Sequence, residues 1–425
     1  MRTREKGGEV KRVFILAFCT LLACALAAQA APAPQRFEGE LEEMRVRAPE
    51  FPPPAQLAPT EPEPAPSGGP GEAGRGPLRP ATPNTPGAFP GETPLLASTG
   101  VTWINSPPLT MASLRGKVVL IDFWEYTCIN CIRTFADNKK WYSRYHRDGF
   151  EIIGVHDPEF DIAYRVSNVR AAVKRFGLPY PVVVDDKFEI WNSYHSDSWP
   201  NRFLIDSKGV IRFHRVGEGG DAAFERAIRM LLQEAHPGLK FPANETIAPD
   251  QDAFAPACGV PTAEMYVGDW YGRGILENRE GYHDGRAIDY RLPASVGDGR
   301  VALGGRWQTE KSGMTYRGKK GTSGELMICY HARELYSVMN VAHGHPSRLY
   351  ITQDGKDLTQ ENKGVDVRFD ASGHSYLEIR EPRMYYLVQN PAFGAHTVTL
   401  KPAASGITVN SFTFGNNCQT DFPHL

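Results

Sequence analysis

A chain of 425 residues with 41 % apolar content is long enough for two ordinary domains. Its net charge of −2, with no basic block or stripe, argues against nucleic acid or an anionic membrane surface as the main partner. In chain order, Lys6, Lys11 and Arg12 form a positive flank, and Val13 to Ala27 an apolar run too short for a comfortable span. Ala28-Gln29-Ala30 supplies a small-x-small cleavage site, so residues 1–30 read as a signal peptide. A competing reading takes Leu21-Leu22-Ala23-Cys24 as a lipoprotein box with Cys24 lipidated; Leu22 is not ideal there, and cleavage near Ala30 is favoured. Either way the chain is expected in the periplasm or cell envelope, free or tethered by lipid or an uncleaved leader, where disulfides persist. Half of the 34 prolines lie between Pro32 and Pro94. Residues 31–95 therefore read as a disordered spacer, either a tether to the membrane or a plain tail.

From Val101 to about Glu234 the pattern is α/β. Val118–Phe123 is an apolar, β-branched run that predicts a buried strand. It breaks at Glu125-Tyr126-Thr127 and delivers Cys128-Ile129-Asn130-Cys131 to the first turn of a helix reaching about Arg147. Unpaired N–H groups and partial positive charge at that turn favour a thiolate, the species that attacks disulfides. Cys128 is then the exposed nucleophile, and Cys131, one turn below, the buried resolving thiol. The alternatives are half of a zinc site or a plain structural disulfide. A zinc site needs two more ligands, and no second CxxC or HxxxH is present. Phe150–Val155 predicts a second strand, Asn168–Phe176 a helix ended by Gly177-Leu178-Pro179, and Tyr180–Val184 an extended segment. Arg202–Ile205 and Val210–Val216 flank an Asp206-Ser207-Lys208-Gly209 turn as a hairpin. Asp221 to Glu234 carries Phe224, Ala227, Ile228, Leu231 and Leu232 on one helical face.

That order, with the stretches DFWEYTCINCIRT, GVHDPEF, YPVVVDDKFEIWNSY and SWPNRFLIDSKGVIRFHRVGEG, resembles the thioredoxin-like part of DipZ-type proteins, a TlpA/ResA-type fold with its strand-helix insertion. The resemblance implies a buried acid beside the resolving cysteine at Asp122, whose apolar neighbours Ile121 and Phe123 also favour burial. Burial raises a carboxyl pKa, which suits Asp122 to take the Cys131 proton near neutral pH. The resemblance also implies a cis bond at Trp199–Pro200, in a loop that faces the CxxC and pairs with substrate backbone. Trp124, Tyr126 and Trp199 would suit a core, and at least one of them is expected to line the substrate groove with Pro200. His156 and Glu159 match the family pattern, but the loop histidine reads as structural. The chain departs from the family at Arg215, where a histidine is usual, and at Gly220-Asp221, where an aromatic commonly follows. Such domains often follow a multi-span electron carrier in the same chain. No further span is read here, so reducing power is expected from a separate membrane electron donor.

A Pro-, Ala- and Asp-rich linker covers residues 238–262, leaving residues 96–237 as the thioredoxin-like domain. Residues 263–425 show short alternating segments: Glu325–His331, Leu335–Val341, Arg348–Gln353, Val365–Phe369, Tyr376–Arg380, Tyr385–Val388, Thr397–Leu400 and Thr408–Phe414. Asp-Gly, Ser-Gly and Asn-Pro turns separate them, as in an antiparallel sandwich. TAEMYVGDWYGR, GGRW, PRMYYLV and SFTFG resemble the DipZ-type C-terminal domain, which implies an all-β jelly roll like a carbohydrate-binding module. Trp270, Tyr271, Trp307, Tyr385 and Tyr386 offer stacking faces for a sugar, although aromatics in a sandwich are more often core. His343-Gly344-His345 reads as a loop rather than a metal site. Cys258 and Cys418 open and close this domain and are expected to form a structural disulfide, while Cys329 reads as a buried free thiol.

The expected function is exported thiol-disulfide exchange with disulfide-containing proteins, most readily their reduction, needing no metal or organic cofactor. A thiol peroxidase would want Pro and Thr seven and three residues before its cysteine, where this chain has Ile121 and Glu125. The alternative from another class is an envelope binding protein, either a copper carrier through the CxxC thiolates or a glycan-binding adaptor through the sandwich.

Overall fold

The computed structural model describes residues 46–47, 101–241, 259–269, 275–319, 321–342 and 345–416. The α/β region is built on strands β1 (Val46–Arg47), β2 (Thr102–Ile104), β3 (Val118–Trp124), β4 (Phe150–His156), β5 (Val182–Val184), β6 (Asn201–Ile205) and β7 (Val210–Val216). They form one sheet in the order β1-β7-β6-β3-β4-β5-β2. All seven residues of β3 and of β4 are buried, which is why both read as continuous apolar runs rather than alternations. β3 lies parallel to β4, Val118 opposite Phe150 through Trp124 opposite His156, and antiparallel to β6, Asp122 opposite Arg202. The centre of the sheet thus ends where the CxxC begins.

Helices α1 (Ile129–Tyr145), α2 (Val166–Phe176), α3 (Glu189–Ser193) and α4 (Asp221–Ala235) complete the region. Ile132, Phe135, Trp141 and Tyr145 recur at helical spacing on the buried face of α1, and the Trp141 ring stacks on Phe224 of α4 with centroids 5.5 Å apart. α2 ends at Gly177, φ +59°, in the left-handed conformation glycine favours. This is a thioredoxin-like fold. Two residues of the segment expected to be unstructured, Val46 and Arg47, pair with β7. The short α3 and β2 carry too few periodic residues to be read from the sequence.

The C-terminal region is all-β: β8 (Met265–Tyr266), β9 (Ala287–Tyr290), β10 (Arg300–Thr309), β11 (Met314–Tyr316), β12 (Glu325–Val341), β13 (Ser347–Gln353), β14 (Lys356–Asp357), β15 (Val367–Phe369), β16 (Ser375–Ile379), β17 (Arg383–Pro402) and β18 (Ile407–Gly415). Its strands pair antiparallel, consistent with a β-sandwich. Segments expected as separate strands merge: Glu325–His331 and Leu335–Val341 are one strand, β12, and Tyr385–Val388 and Thr397–Leu400 both lie in β17. The Asn390-Pro391 turn signal sits inside β17 where the ladder to β12 is interrupted, since pairing passes from Gln389–Glu334 to Gly394–Ala332. A proline is tolerated there because no ladder bond needs its N–H. β10 is hidden in the sequence by Gly304-Gly305. Gly305 has φ +82°, and a Cβ there would stand 2.5 Å from the Ser323 carbonyl oxygen. Trp307, Tyr330, Leu335, Leu387 and Phe412 belong to one buried core.

No helix among the described residues is long and apolar enough to cross a membrane. The expected leader and lipid box, most of the spacer and linker, and the Cys258–Cys418 disulfide lie outside the described residues.

Candidate active site

β3 ends at Trp124, and the chain turns through Glu125, Tyr126 and Thr127 before α1. The turn is held by Glu125, whose carboxylate accepts from the Thr127 N–H at 2.5 Å and from the Thr127 hydroxyl. Cys128 is the N-cap of α1: its backbone is extended, and its Sγ accepts the Cys131 N–H at 3.3 Å. Opposite it lies the Trp199–Pro200 loop, whose peptide bond is cis, with the Trp199 carbonyl oxygen 3.9 Å from Cys128 Sγ. Cys128 is half-buried and Cys131 fully buried, so access and depth fall in the order that attack and resolution require.

Asp122 lies in the fully buried β3, where desolvation raises its carboxyl to about 7 despite the Arg202 guanidinium and a 2.7 Å bond from Asn138 Nδ2. Its charge acts on Cys131, whose thiol burial pushes well up. Cys128 differs from the sequence-based expectation of a favoured thiolate. Burial pushes its thiol up, hydrogen bonds from the Cys131 thiol and, less strongly, the Cys131 N–H pull it back, and Glu159 and Glu264 push it further up. The helix terminus acts as expected, but desolvation and two carboxyl groups outweigh it.

Trp124 and Tyr126, expected beside the substrate groove, are fully buried instead. Trp124 packs edge-on to Phe135 and His156, and Tyr126 stacks on His156 while its hydroxyl donates to the Ile162 carbonyl. Burying two large rings under the turn stabilises more than exposing them would, which decides their placement. Trp199 is half-buried against Trp191, with centroids 4.6 Å apart, and Pro200 is buried. His156 is core: its Nε2 lies 3.7 Å from the Glu125 carboxylate, and both side chains are fully buried. In the β region Trp307 and Tyr385 are core, Tyr386 is half-buried, and Trp270, Tyr271 and His343 lie outside the described residues. Cys329 is unpaired as expected but only half-buried, because it sits at an alternate position of β12 whose neighbours Ile328 and Tyr330 point inward.

Arg202 and Arg133 escaped the sequence reading, and Glu159 entered it only as a match to the family pattern with no role. Arg202 is fully buried in β6, 2.7 Å from Asp221 Oδ1, and stands over the Phe224 ring. An arginine followed directly by the apolar run Phe203-Leu204-Ile205 was the available signal. Glu159, in the loop after β4, acts on the redox cysteine through its charge. Arg133, two residues beyond Cys131, links Glu218 of the α/β region with Glu334 and the Tyr336 hydroxyl of β12, at 3.2–3.3 Å each. Nothing local to the sequence announces that last contact, which spans about two hundred positions.

Two family models match: residues 104–214 fit the AhpC/TSA family, and residues 262–415 the Thioredoxin like C-terminal domain. Protein DipZ of Mycobacterium bovis is 33 % identical over 324 residues, which cover 74 % of this chain and 42 % of DipZ. The chain thus spans less than half the length of that relative. Thiol-disulfide oxidoreductase ResA of Bacillus thuringiensis is 31 % identical over 118 residues, 28 % of this chain and 65 % of ResA. Among solved structures, a thiol-disulfide isomerase from Corynebacterium glutamicum aligns with 31 % of this chain and 90 % of its own, at 25 % identity and a TM-score of 0.29.

Proposed function

The chain is DipZ-like, a thioredoxin-like region followed by a C-terminal β region, and from this we propose a thiol-disulfide oxidoreductase that reduces disulfides in partner proteins. The observation that carries the reading is Cys128 at the helix N-cap, accepting the Cys131 N–H and facing the Trp199 carbonyl of the cis-proline loop. A partner chain laid along that loop presents its disulfide to Cys128. Deprotonated Cys128 Sγ attacks one partner sulfur; the partner S–S bond breaks, and its second sulfur leaves as a thiolate that takes up a proton. Cys131 then gives its proton to the Asp122 carboxylate and attacks Cys128 Sγ. The mixed disulfide breaks, and the first partner sulfur leaves as a thiolate and is protonated in turn. Two electrons have passed to the partner, which gains two thiols, while Cys128 and Cys131 are joined as a disulfide.

Turnover needs a second dithiol donor to restore the pair. In this reading the donor is a separate membrane protein and the site of action the cell envelope. The AhpC/TSA match supports the same fold without peroxidase chemistry, given Ile121 and Glu125 where that chemistry wants Pro and Thr. The remaining expectations enter the same reading: a leader over residues 1–30, domains at 96–237 and 263–425, a jelly-roll β region and a Cys258–Cys418 bridge.

The test is the reduction potential of the Cys128–Cys131 pair in glutathione buffers. A value near or below roughly −220 mV supports a reductase, and one near roughly −120 mV makes the protein a disulfide donor. If the pair forms no disulfide at any poise, the redox reading fails and copper binding by the two thiols takes its place. Cys128→Ser is expected to abolish insulin reduction.

A further inference from the structure

The turn after β7 is written Gly217-Glu218-Gly219-Gly220, and its glycines stand in the left-handed region, at φ +79°, +80° and +67°. The Gly217 N–H donates to the Pro200 carbonyl at 2.8 Å, so this turn holds the cis-proline loop. The Gly219 carbonyl accepts from Arg202, which lies opposite Asp122 in the ladder. Glu218, between them, accepts from Arg133 Nη1 of α1 at 3.2 Å. The same nitrogen donates to Asn130 Oδ1, inside the CxxC, at 3.4 Å. The CxxC and the turn behind the cis-proline loop thus meet on one nitrogen of one guanidinium. Its other nitrogen belongs to the β region: Nη2 donates to Glu334 Oε2 at 3.2 Å and to the Tyr336 hydroxyl oxygen at 3.3 Å. β18 passes here as Gly415, where a Cβ would stand 2.2 Å from Glu334 Oε2 and 2.8 Å from Arg133 Nη2, so glycine leaves room for the pair. A guanidinium is planar and its donors are fixed relative to one another, so holding one edge orients the other.

We propose that Arg133 is a positioning residue of the redox site: held by Glu334 and Tyr336 of the β region, it sets the cis-proline loop against the CxxC through Glu218 and Gly217, and the β region thereby governs how well a partner protein is captured. This rests on the oxidoreductase reading above. A disulfide within a protein has to lie along the Trp199–Pro200 loop to reach Cys128, whose sulfur is 3.9 Å from the Trp199 carbonyl oxygen. A small disulfide reaches that sulfur without the loop. Loosening the loop therefore costs capture of proteins more than it costs attack itself. The β region has other holds on the α/β region. The Tyr266 hydroxyl donates to Glu159, the Tyr266 ring packs on Phe160 with centroids 5.9 Å apart, and Ser312 donates to Asp161 at 2.9 Å. Weakening the Arg133 contact on its β side leaves these in place.

The test is single-turnover oxidation of the reduced full chain by insulin and by dithiobis-nitrobenzoate, followed by stopped flow, together with amide exchange at Gly217. Tyr336→Phe keeps the ring 5.6 Å from the guanidinium carbon and removes only the hydroxyl, while Glu334→Gln keeps shape and an acceptor oxygen and removes the charge. Each is expected to raise the half-saturating insulin concentration about threefold, and the two together about tenfold, with the limiting rate changed less than about twofold. The preference for insulin over the small disulfide falls by the same factors, and the Gly217 amide exchanges faster. Ser312→Ala removes a contact between the regions that Arg133 does not make, and is expected to keep the wild-type preference. An unmoved insulin half-saturation or an unmoved Gly217 amide in the double variant overturns the role of Arg133. So does an equal loss in Ser312→Ala, which assigns the effect to docking of the β region in general. A wild-type chain oxidised by both disulfides, with variants that behave as wild type, refutes this inference alone. A wild-type chain oxidised by neither refutes the oxidoreductase reading and this inference with it.

Discussion

Asp122 shows how far one residue's behaviour depends on what surrounds it. A carboxyl raised to about 7 is close to half ionised at neutral pH, where it can both take and release the Cys131 proton. Resolution of a mixed disulfide on Cys128 is therefore expected to slow as pH falls through about 7, while Asp122→Asn should be slow throughout and lose that pH step; quenched-flow resolution rates would check this. The sign for stability is opposite. The native state binds the Asp122 proton more tightly than the unfolded chain does, so stability contributed by the protonated form is lost as pH rises from the usual carboxylate range to about 7. Asp122→Asn, which keeps an acceptor for Asn138, is expected to raise the melting temperature at mildly alkaline pH, measured by calorimetry. The two cysteines were legible in the sequence because their chemistry is carried by spacing along one strand-turn-helix unit, while Asp122 was implied by the family resemblance, with which its apolar neighbours agree. Trp124 and Tyr126 were not, because an aromatic serves equally as core or as groove and only packing decides.

At the scale of elements, β6 matters as much as β3. It sets Arg202 opposite Asp122 in the ladder, and the guanidinium, held by Asp221 and the Gly219 carbonyl, keeps the Asp122 carboxyl from rising further. Arg202→Met preserves bulk over Phe224 but removes the cation. The pH step in mixed-disulfide resolution is expected to move up by roughly one unit. A step that stays in place would mean that the buried arginine serves packing alone. Long apolar strands and amphipathic helices were readable because β3, β4, α1 and α4 each have one uniform environment. The β region was harder. β12 and β17 bend and shift register, so their alternation lapses midway and each reads as two strands.

Among the described residues, Arg133 is one of the contacts that join the α/β region to the β region. Its side chain is only 7 % exposed and lies between Glu218 and Glu334, themselves about a tenth exposed, so the contact links the redox helix to the longest paired strands of the β region. Removing one partner from such a buried cluster leaves carboxylates without a counter-charge and costs about 3–5 kcal/mol. Arg133→Ala is expected to lower the unfolding free energy by that order and to separate the unfolding of the two regions, seen as two resolved transitions in denaturant titration. A single coincident transition at the wild-type midpoint would show the contact to be incidental.

The amino-acid order alone determined the dithiol, its helix and the succession of an α/β and an all-β region, because each of these is written in residues close together along the chain. Tertiary structure alone decided how strongly Cys128 is held as a thiol and which aromatic rings are core. It alone brought Arg202 to Asp122, set Glu334 against the redox helix and set Tyr266 against Glu159. Charge and burial act through space, and the side chains that supply them here lie from about eighty to about two hundred positions away from the group they act on.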